Sequence, residues 1–215
     1  MFKQLLSVFL ESRCPCCNRS SKEYICQYCM SKLSNCKFKS RDRRSWWGEM
    51  PVFAWGRYDG QLKRAIALMK YHNHPELGIV LGELLAQAWL ESDLAKLTKV
   101  SVIPIPLHHQ KIKERGFNQA EKIAQGFCQS TGYSLSPQAL IRIRETQAMF
   151  DLSPEARIKN LQSAFRLTKK LPKHPVLLLD DIYTVGTTVN ESAKILRRNK
   201  INVIGSVVVA KASSY

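Results

Sequence analysis

Thirteen consecutive residues concentrate the chemistry of this chain: Val176-Leu177-Leu178-Leu179-Asp180-Asp181-Ile182-Tyr183-Thr184-Val185-Gly186-Thr187-Thr188. The four apolar residues read as a strand buried on both faces, as in a parallel sheet, where ligands bind beyond the carboxyl ends of the strands. Asp180 and Asp181 stand at that end, and two carboxylates there can accept hydrogen bonds from sugar hydroxyls. Thr184, Val185, Gly186, Thr187 and Thr188 form a turn of small and hydroxyl-bearing residues that opens a helix. Such a turn offers free backbone N–H groups, threonine hydroxyls and the positive end of a helix dipole to a phosphate. Gly186 lets the backbone approach the anion. The glycine–lysine pattern of a P-loop and the G-x-G-x-x-G turn of dinucleotide-binding folds are both absent. An acid pair followed by a phosphate turn suits a ribose 5-phosphate, hydroxyls at one end and phosphate at the other.

A second cluster lies near the start. Of seven cysteines, six fall within the first 36 residues. Cys14, Cys17, Cys26 and Cys29 make two C-x2-C knuckles separated by eight residues. Four thiolates suit tetrahedral zinc, and a site closed by four sulfurs is structural, with no position left for water. A stretch this short buries no core of its own, so metal would supply its folding energy. Cys16 in place of Cys17, or Cys36 as the fourth sulfur, also meets the count; an iron–sulfur cluster takes the same number of ligands, and metal-free thiols are the plain alternative. The segment Lys37-Phe38-Lys39-Ser40-Arg41-Asp42-Arg43-Arg44-Ser45-Trp46-Trp47 interleaves cations and aromatics as a single-stranded nucleic-acid platform does. A solvated basic linker whose tryptophans dock on the main domain reads it more simply, since linkers are often basic and tryptophans usually core.

The elements that must hold these groups alternate along the rest of the chain. Residues 52–58 read as a strand, and residues 61–71 as a helix with Leu62, Ala65, Ile66, Leu68 and Met69 on its apolar face and Lys63, Arg64 and Lys70 outside it. Residues 77–90 read as a second helix, 99–104 as a buried strand, 105–117 as a basic loop and 118–131 as a helix. Residues 140–144 make a short strand, 189–198 a helix and 201–210 a last apolar strand. His72 and His74, before Pro75, fit a polar turn better than a metal site. Apolar strands alternating with helices predict an α/β domain with a mostly parallel sheet over residues 51–215, following a small four-cysteine module with a basic arm over residues 1–50. Phe2, Leu5, Leu6 and Phe9 recur at helical spacing, so the start reads as an amphipathic helix rather than a membrane span. With no apolar run long enough to cross a bilayer and no cleavable leader, a cytoplasmic location is expected. The net charge of +16 points to polyanionic or phosphate-rich partners.

Residues 176–188 resemble the phosphoribosyl pyrophosphate (PRPP) signature of type I phosphoribosyltransferases. The N-terminal cysteines, Tyr58-Asp59-Gly60, Lys70-Tyr71, Pro104-Ile105-Pro106-Leu107, Arg115-Gly116-Phe117-Asn118-Gln119, Arg142-Ile143-Arg144-Glu145-Thr146-Gln147 and residues 160–165 together resemble the ComF family of competence-associated proteins. The resemblance spans nearly the whole chain and implies a type I phosphoribosyltransferase-like fold. It implies that Asp180 and Asp181 hold the ribose hydroxyls, and that Thr184, Val185, Gly186, Thr187 and Thr188 hold the 5-phosphate. Leu107, His108, His109 and Gln110 fall where the pyrophosphate loop is expected, with Lys111, Lys113 and Arg115 able to neutralise pyrophosphate. His108 and His109 depart from the proline many relatives carry there. Residues 144–159, with Arg157 and Lys159, resemble a loop that closes over the ligand, and magnesium would bridge pyrophosphate and ribose oxygens.

The resemblance leaves activity open, because fold does not settle function. No residue announces itself as a general base and no acceptor pocket is legible. A PRPP-binding protein of DNA uptake, engaging single-stranded DNA and other uptake proteins, is one expectation. A transferase moving ribose 5-phosphate to a nitrogen acceptor is the other.

Overall fold

A computed structural model describes residues 12–39, 44–45, 50–144 and 164–212. The expected N-terminal helix, Trp46 and Trp47, and the closing loop with Arg157 and Lys159 lie outside the described residues.

The sheet is built from β1 (Arg44–Ser45), β2 (Val52–Arg57), β3 (Ser101–Pro104), β4 (Ser134–Leu135), β7 (Val176–Tyr183) and β8 (Val203–Lys211), in the order β1-β2-β8-β7-β3-β4. Only β1 runs antiparallel; the other five strands are parallel. β5 (Leu140–Arg142) and β6 (Phe165–Leu167) pair as a separate antiparallel ribbon. Parallel neighbours need crossovers, and these are the helices α2 (Gly60–Tyr71), α3 (Glu76–Leu90), α5 (Gln119–Thr131) and α6 (Thr187–Arg198). Two shorter α-helices, α1 (Gln27–Ser34) and α4 (His109–Arg115), and a 3-10 turn at Asp93–Lys96 complete the helices among the described residues. The α/β class with a mostly parallel, helix-covered sheet and a four-cysteine module is therefore as expected.

The central strands carry the pattern that dictates this. Residues 176–181 of β7 are all buried, as are residues 205–210 of β8, so each strand must be covered on both faces. Trp89 sits at the centre of one layer, with Phe53 and Phe127 edge-on to it at 5.2 and 6.1 Å, and its indole N–H donates to Tyr133 Oη at 3.0 Å. That bond supplies the partner a buried indole requires.

Topology then fixes where a ligand can sit. β3 connects outward to its neighbour β4, whereas β7 connects the opposite way to β8. The crossovers diverge between β3 and β7, opening a crevice at their carboxyl ends, and ligands of doubly wound sheets bind at such a switch point. Asp180 and Asp181 lie at the end of β7, and Pro104 closes β3.

Several boundaries shift. The acid pair belongs to the strand, which continues to Tyr183, and α6 begins at Thr187, two residues before the expected start. The expected basic loop over residues 105–117 contains α4, ended by Gly116 in the left-handed region at φ 84°. The expected strand over residues 140–144 stops at Arg142.

The cysteine module packs directly on the domain. The Arg57 N–H donates to Cys36 O at 2.9 Å, and the Phe38 N–H to Trp55 O at 2.9 Å. A Cβ on Gly56 would stand 2.5 Å from Cys36 O, so only glycine allows this approach. Tyr24 Oη bridges to His74 Nδ1 at 3.3 Å and Glu76 Oε2 at 3.2 Å, at the start of α3. His74 thus secures the module to the domain, in keeping with its reading as something other than a metal ligand. Among the described residues no helix is long and apolar enough to cross a membrane.

Candidate functional site

The acid pair is buried, with Asp180 9% and Asp181 4% exposed. Although adjacent in a strand, the two carboxylates interact with each other and both feel Lys70, and they differ in their nearest partners. Asp180 Oδ1 accepts the Asp181 backbone N–H at 2.8 Å. Asp181 Oδ2 forms an ion pair with Lys70 Nζ, a charge contact lacking hydrogen-bond geometry. Burial pushes the Asp180 carboxyl well above its ordinary value, and the neighbouring Asp181 charge adds to this. Burial acts on Asp181 in the same direction, but the Lys70 ammonium overcomes it and holds Asp181 below the ordinary range. Lys70 is raised in turn: its burial is outweighed by Asp181. The pair therefore divides into one carboxyl that tends to keep its proton and one ionised carboxylate.

Lys70 was placed by periodicity on the outer face of its helix, and the structure corrects this. Its side chain is 14% exposed and reaches inward to Asp181. The spacing carried the information: Leu62, Ile66 and Lys70 are successive i,i+4 positions, and the first two are fully buried. A lysine continuing an apolar stripe buries its ammonium only against a carboxylate.

Beyond the acid pair the turn takes the expected form. Gly186 adopts the left-handed region, φ 76° and ψ 5°, as the residue before α6, with no side chain capping the helix. Thr187 and Thr188 are its first two helical residues, so their N–H groups belong to the uncapped first turn. A Cβ on Gly186 would lie 2.3 Å from Tyr183 Oη, so the tyrosine occupies the space any other residue would need. Burial raises the Tyr183 phenol, which stays a neutral donor beside the turn. Thr184 and Val185 are exposed, Val185 to 49%.

The residues expected to meet pyrophosphate divide. The Arg115 guanidinium lies 5.7 Å from the centre of the Tyr71 ring, bonds Gln119 Oε1, and its charge lowers Asp181. Lys111 Nζ is paired with Glu114 Oε2 at 2.7 Å on the exposed face of α4. Leu107 is half-buried and His109 exposed, whereas His108 is buried, its ring 4.2 Å from that of His109 and its Nδ1 without a hydrogen bond. Sequence reasoning missed Arg142: burial lowers its guanidinium against a partial opposing pull from Asp180, so it approaches the acid pair from β5. The sequence places it in a strand and at the head of the motif Arg142-Ile143-Arg144-Glu145-Thr146-Gln147, with no role at the site. Tyr71, 64% exposed beside buried Lys70, completes a surround of cations and an aromatic.

The metal candidate is equally defined. The Sγ atoms of Cys14, Cys17, Cys26 and Cys29 all lie within 4.8 Å of one another, and Cys17 and Cys26 approach to 3.5 Å. Tetrahedral zinc with bonds of about 2.3 Å places sulfurs about 3.8 Å apart, so the cluster fits such an ion. Burial raises the Cys14 thiol, but N–H groups of Cys26 and Cys16 prevail and lower it to about 7, whereas burial and the neighbouring thiols raise Cys29, so Cys14 is the sulfur of the two that loses its proton more readily. Cys16 and Cys36 stand aside. Burial pushes Cys16 up to about 11, and the Cys36 thiol points at Asp59 O, 3.5 Å away. The second knuckle opens α1, with Cys26 just before the helix and Cys29 buried in its first turn.

No family model matches the chain. It is 28% identical over 209 residues to Competence protein F of Haemophilus influenzae, covering 93% of this chain and 90% of that one. It is 29% identical over 144 residues to DNA utilization protein YhgH of Salmonella typhimurium, covering 66% of this chain and 63% of the relative. Competence protein ComFC of Streptococcus pneumoniae is 31% identical over 110 residues, about half of each chain at 51% and 47%. Along most of its length the chain is thus similar to proteins named for competence and DNA utilization, which supports its resemblance to the ComF family of competence-associated proteins.

Proposed function

We propose that this chain serves DNA uptake as a PRPP-binding protein, its domain over residues 51–215 holding the ligand and its module over residues 1–50 contributing to single-stranded DNA binding. The observation that carries the PRPP reading is the acid pair at the switch point, followed by an uncapped helix start behind a left-handed glycine. Asp180 and Asp181 hold the ribose hydroxyls, and the amides and hydroxyls of residues 184–188 hold the 5-phosphate. Arg115 and Arg142 are the cations best placed for the pyrophosphate, with His108 as a further donor. The acid pair also suits magnesium, which takes few protein ligands and would neutralise pyrophosphate when bound. Basic Lys37 and Lys39 begin the arm proposed for DNA, while Phe38 packs against Val52, Ala54 and Val208 rather than standing free to stack on bases.

Titration of magnesium–PRPP while thermal stability is followed tests this. At about a hundredfold excess over Kd, a ligand specific to the folded state adds about 2.7 kcal/mol, or roughly 5–10 °C for a chain this size. Asp180→Asn/Asp181→Asn is expected to lose the shift. No shift in the wild-type chain overturns the PRPP reading. Affinity for a single-stranded oligonucleotide that does not fall with salt overturns the DNA reading.

The cationic surround favours a second reading, a transferase that moves ribose 5-phosphate to a nitrogen acceptor. Stabilising the departing pyrophosphate is the main electrostatic task of that reaction. Pyrophosphate release from PRPP with a panel of nitrogenous bases distinguishes it, and silence across the panel leaves the binding role alone.

A further inference from the structure

A cleft of about 630 Å³ lies outside the acid pair and phosphate turn, none of whose residues line it. Its volume is that of small-molecule sites generally. Pro106, Leu107, Ile112, Pro137, Leu140 and Ile141 form its apolar surfaces. Prolines and branched aliphatics make flat, rigid walls, which suit a planar ring more than a flexible chain. Lys169 and Lys170, exposed just beyond β6, and Arg142 bring three cations to the lining. Lys170 Nζ bonds Gln138 Oε1 across the ribbon, which orders that part of the rim.

Among the described residues of the lining, one acid decides among the ligands such a cleft could take. Glu121, half-buried in the first turn of α5, lines the same space. A simple organic anion or an acidic peptide would meet it with repulsion as well as attraction. A molecule with an anion at one end and ring N–H donors at the other satisfies both features. The anion lies on the lysines, the ring lies between the apolar walls, and Glu121 accepts from an exocyclic amine, as carboxylates do from cytosine N4. We infer that this cleft is a nucleotide site, taking an amino-bearing nucleobase together with its phosphate. Free nucleotide and the phosphorylated end of an oligonucleotide share that chemistry. Leu107, His109 and Arg142, read above for the pyrophosphate, also line this cleft, so the two sites adjoin, and Glu121, Lys169 and Lys170 are what distinguish this one.

Calorimetric titration of CMP, AMP, GMP and UMP into the full-length, metal-loaded chain tests the inference. The amino-bearing nucleotides are expected to bind, UMP and ribose 5-phosphate more weakly. Lys169→Glu/Lys170→Glu, both at exposed positions, is expected to weaken CMP by about tenfold or more, because two charge contacts to phosphate are reversed. Glu121→Gln is expected to narrow the difference between CMP and UMP. Asp180→Asn/Asp181→Asn is expected to leave CMP binding unchanged, which separates this site from the PRPP site. Competition by a 5′-phosphorylated oligonucleotide assigns the cleft to a strand end, and competition by mononucleotide alone assigns it to the free compound. No binding at about 1 mM, equal binding of ribose 5-phosphate, indifference to the lysine reversal, or loss of CMP binding in the aspartate variant overturns the inference.

Discussion

Replacing Lys70 with methionine tests the internal electrostatics of the site most directly. The substitution keeps the stem that packs beside Ile66 and removes only the ammonium. It leaves Asp181, 4% exposed, as a buried carboxylate without its cation. Breaking one side of a buried pair costs about 3–5 kcal/mol, and the residual 14% exposure of Lys70 argues for the lower end. About 3 kcal/mol corresponds to a fall in Tm of roughly 6–12 °C at this chain length. Asp181→Asn alone strands the ammonium and is expected to cost somewhat less, since Asp180 remains nearby. The double variant removes both charges and is expected to lie within about 1 kcal/mol of the wild type, giving a coupling of about 2 kcal/mol or more. Urea unfolding of the four proteins at neutral pH measures the cycle. Because Asp181 is depressed in the folded state, the stability it supplies is present above its ordinary 3.8 and lost as pH falls through the folded value. The gap between wild type and Lys70→Met should therefore close on acidification. Additive single effects, or a gap that widens in acid, refute the assignment of Lys70 as the partner of Asp181.

Gly186→Ala is expected to destabilise by about 1–3 kcal/mol and to abolish the PRPP shift, because it sets a Cβ at φ 76° and 2.3 Å from Tyr183 Oη. Adding Tyr183→Phe should relieve only part of the loss, as read by thermal unfolding. Elemental analysis of the purified chain is expected to show one zinc, retained in Cys16→Ser and Cys36→Ser and lost in Cys29→Ser. Chelation should lower the unfolding temperature of the whole chain, since the module shares a continuous core with the domain.

Much of this architecture was legible because the central strands need no context. Residues 176–179 and the apolar run in β8 can only be strands buried on both faces, and a parallel sheet follows from the helices between them. The turn at residues 184–188 was legible for a similar reason: its glycine and hydroxyl residues have one common physical use at a strand-to-helix junction. What escaped depends on tertiary partners. Lys70 looks like any surface lysine until Asp181 is seen facing it. Arg142 reads as a strand residue until β5 is placed beside the acid pair. α4 has no buried residue to give it a periodic signal, and β4 is two residues whose pairing is set wholly by β3. Among the cysteines, spacing allowed Cys16 and Cys36 as well as the four that converge, and only the fold of the knuckles separates them.

The opposite shifts of the acid pair, Asp180 up and Asp181 down, carry a consequence for ligand binding. Burial and the Asp181 charge both oppose ionisation of Asp180 and raise its carboxyl well above the ordinary value. A magnesium ion beside the pair and ribose hydroxyls donating to it would each favour the ionised form. Binding therefore competes with the proton on Asp180, and affinity should fall as pH drops through its raised value. PRPP itself titrates near neutrality, so the informative quantity is the difference between the wild type and Asp180→Asn, which has no proton to lose. Calorimetry across pH 5.5–8.5 in buffers of different ionisation enthalpy should show proton release on binding to the wild type in excess of the variant, about one proton at most per site. Equal proton release by the two proteins would mean that Asp180 is already ionised in the free chain, and the asymmetry of the pair would have to be abandoned.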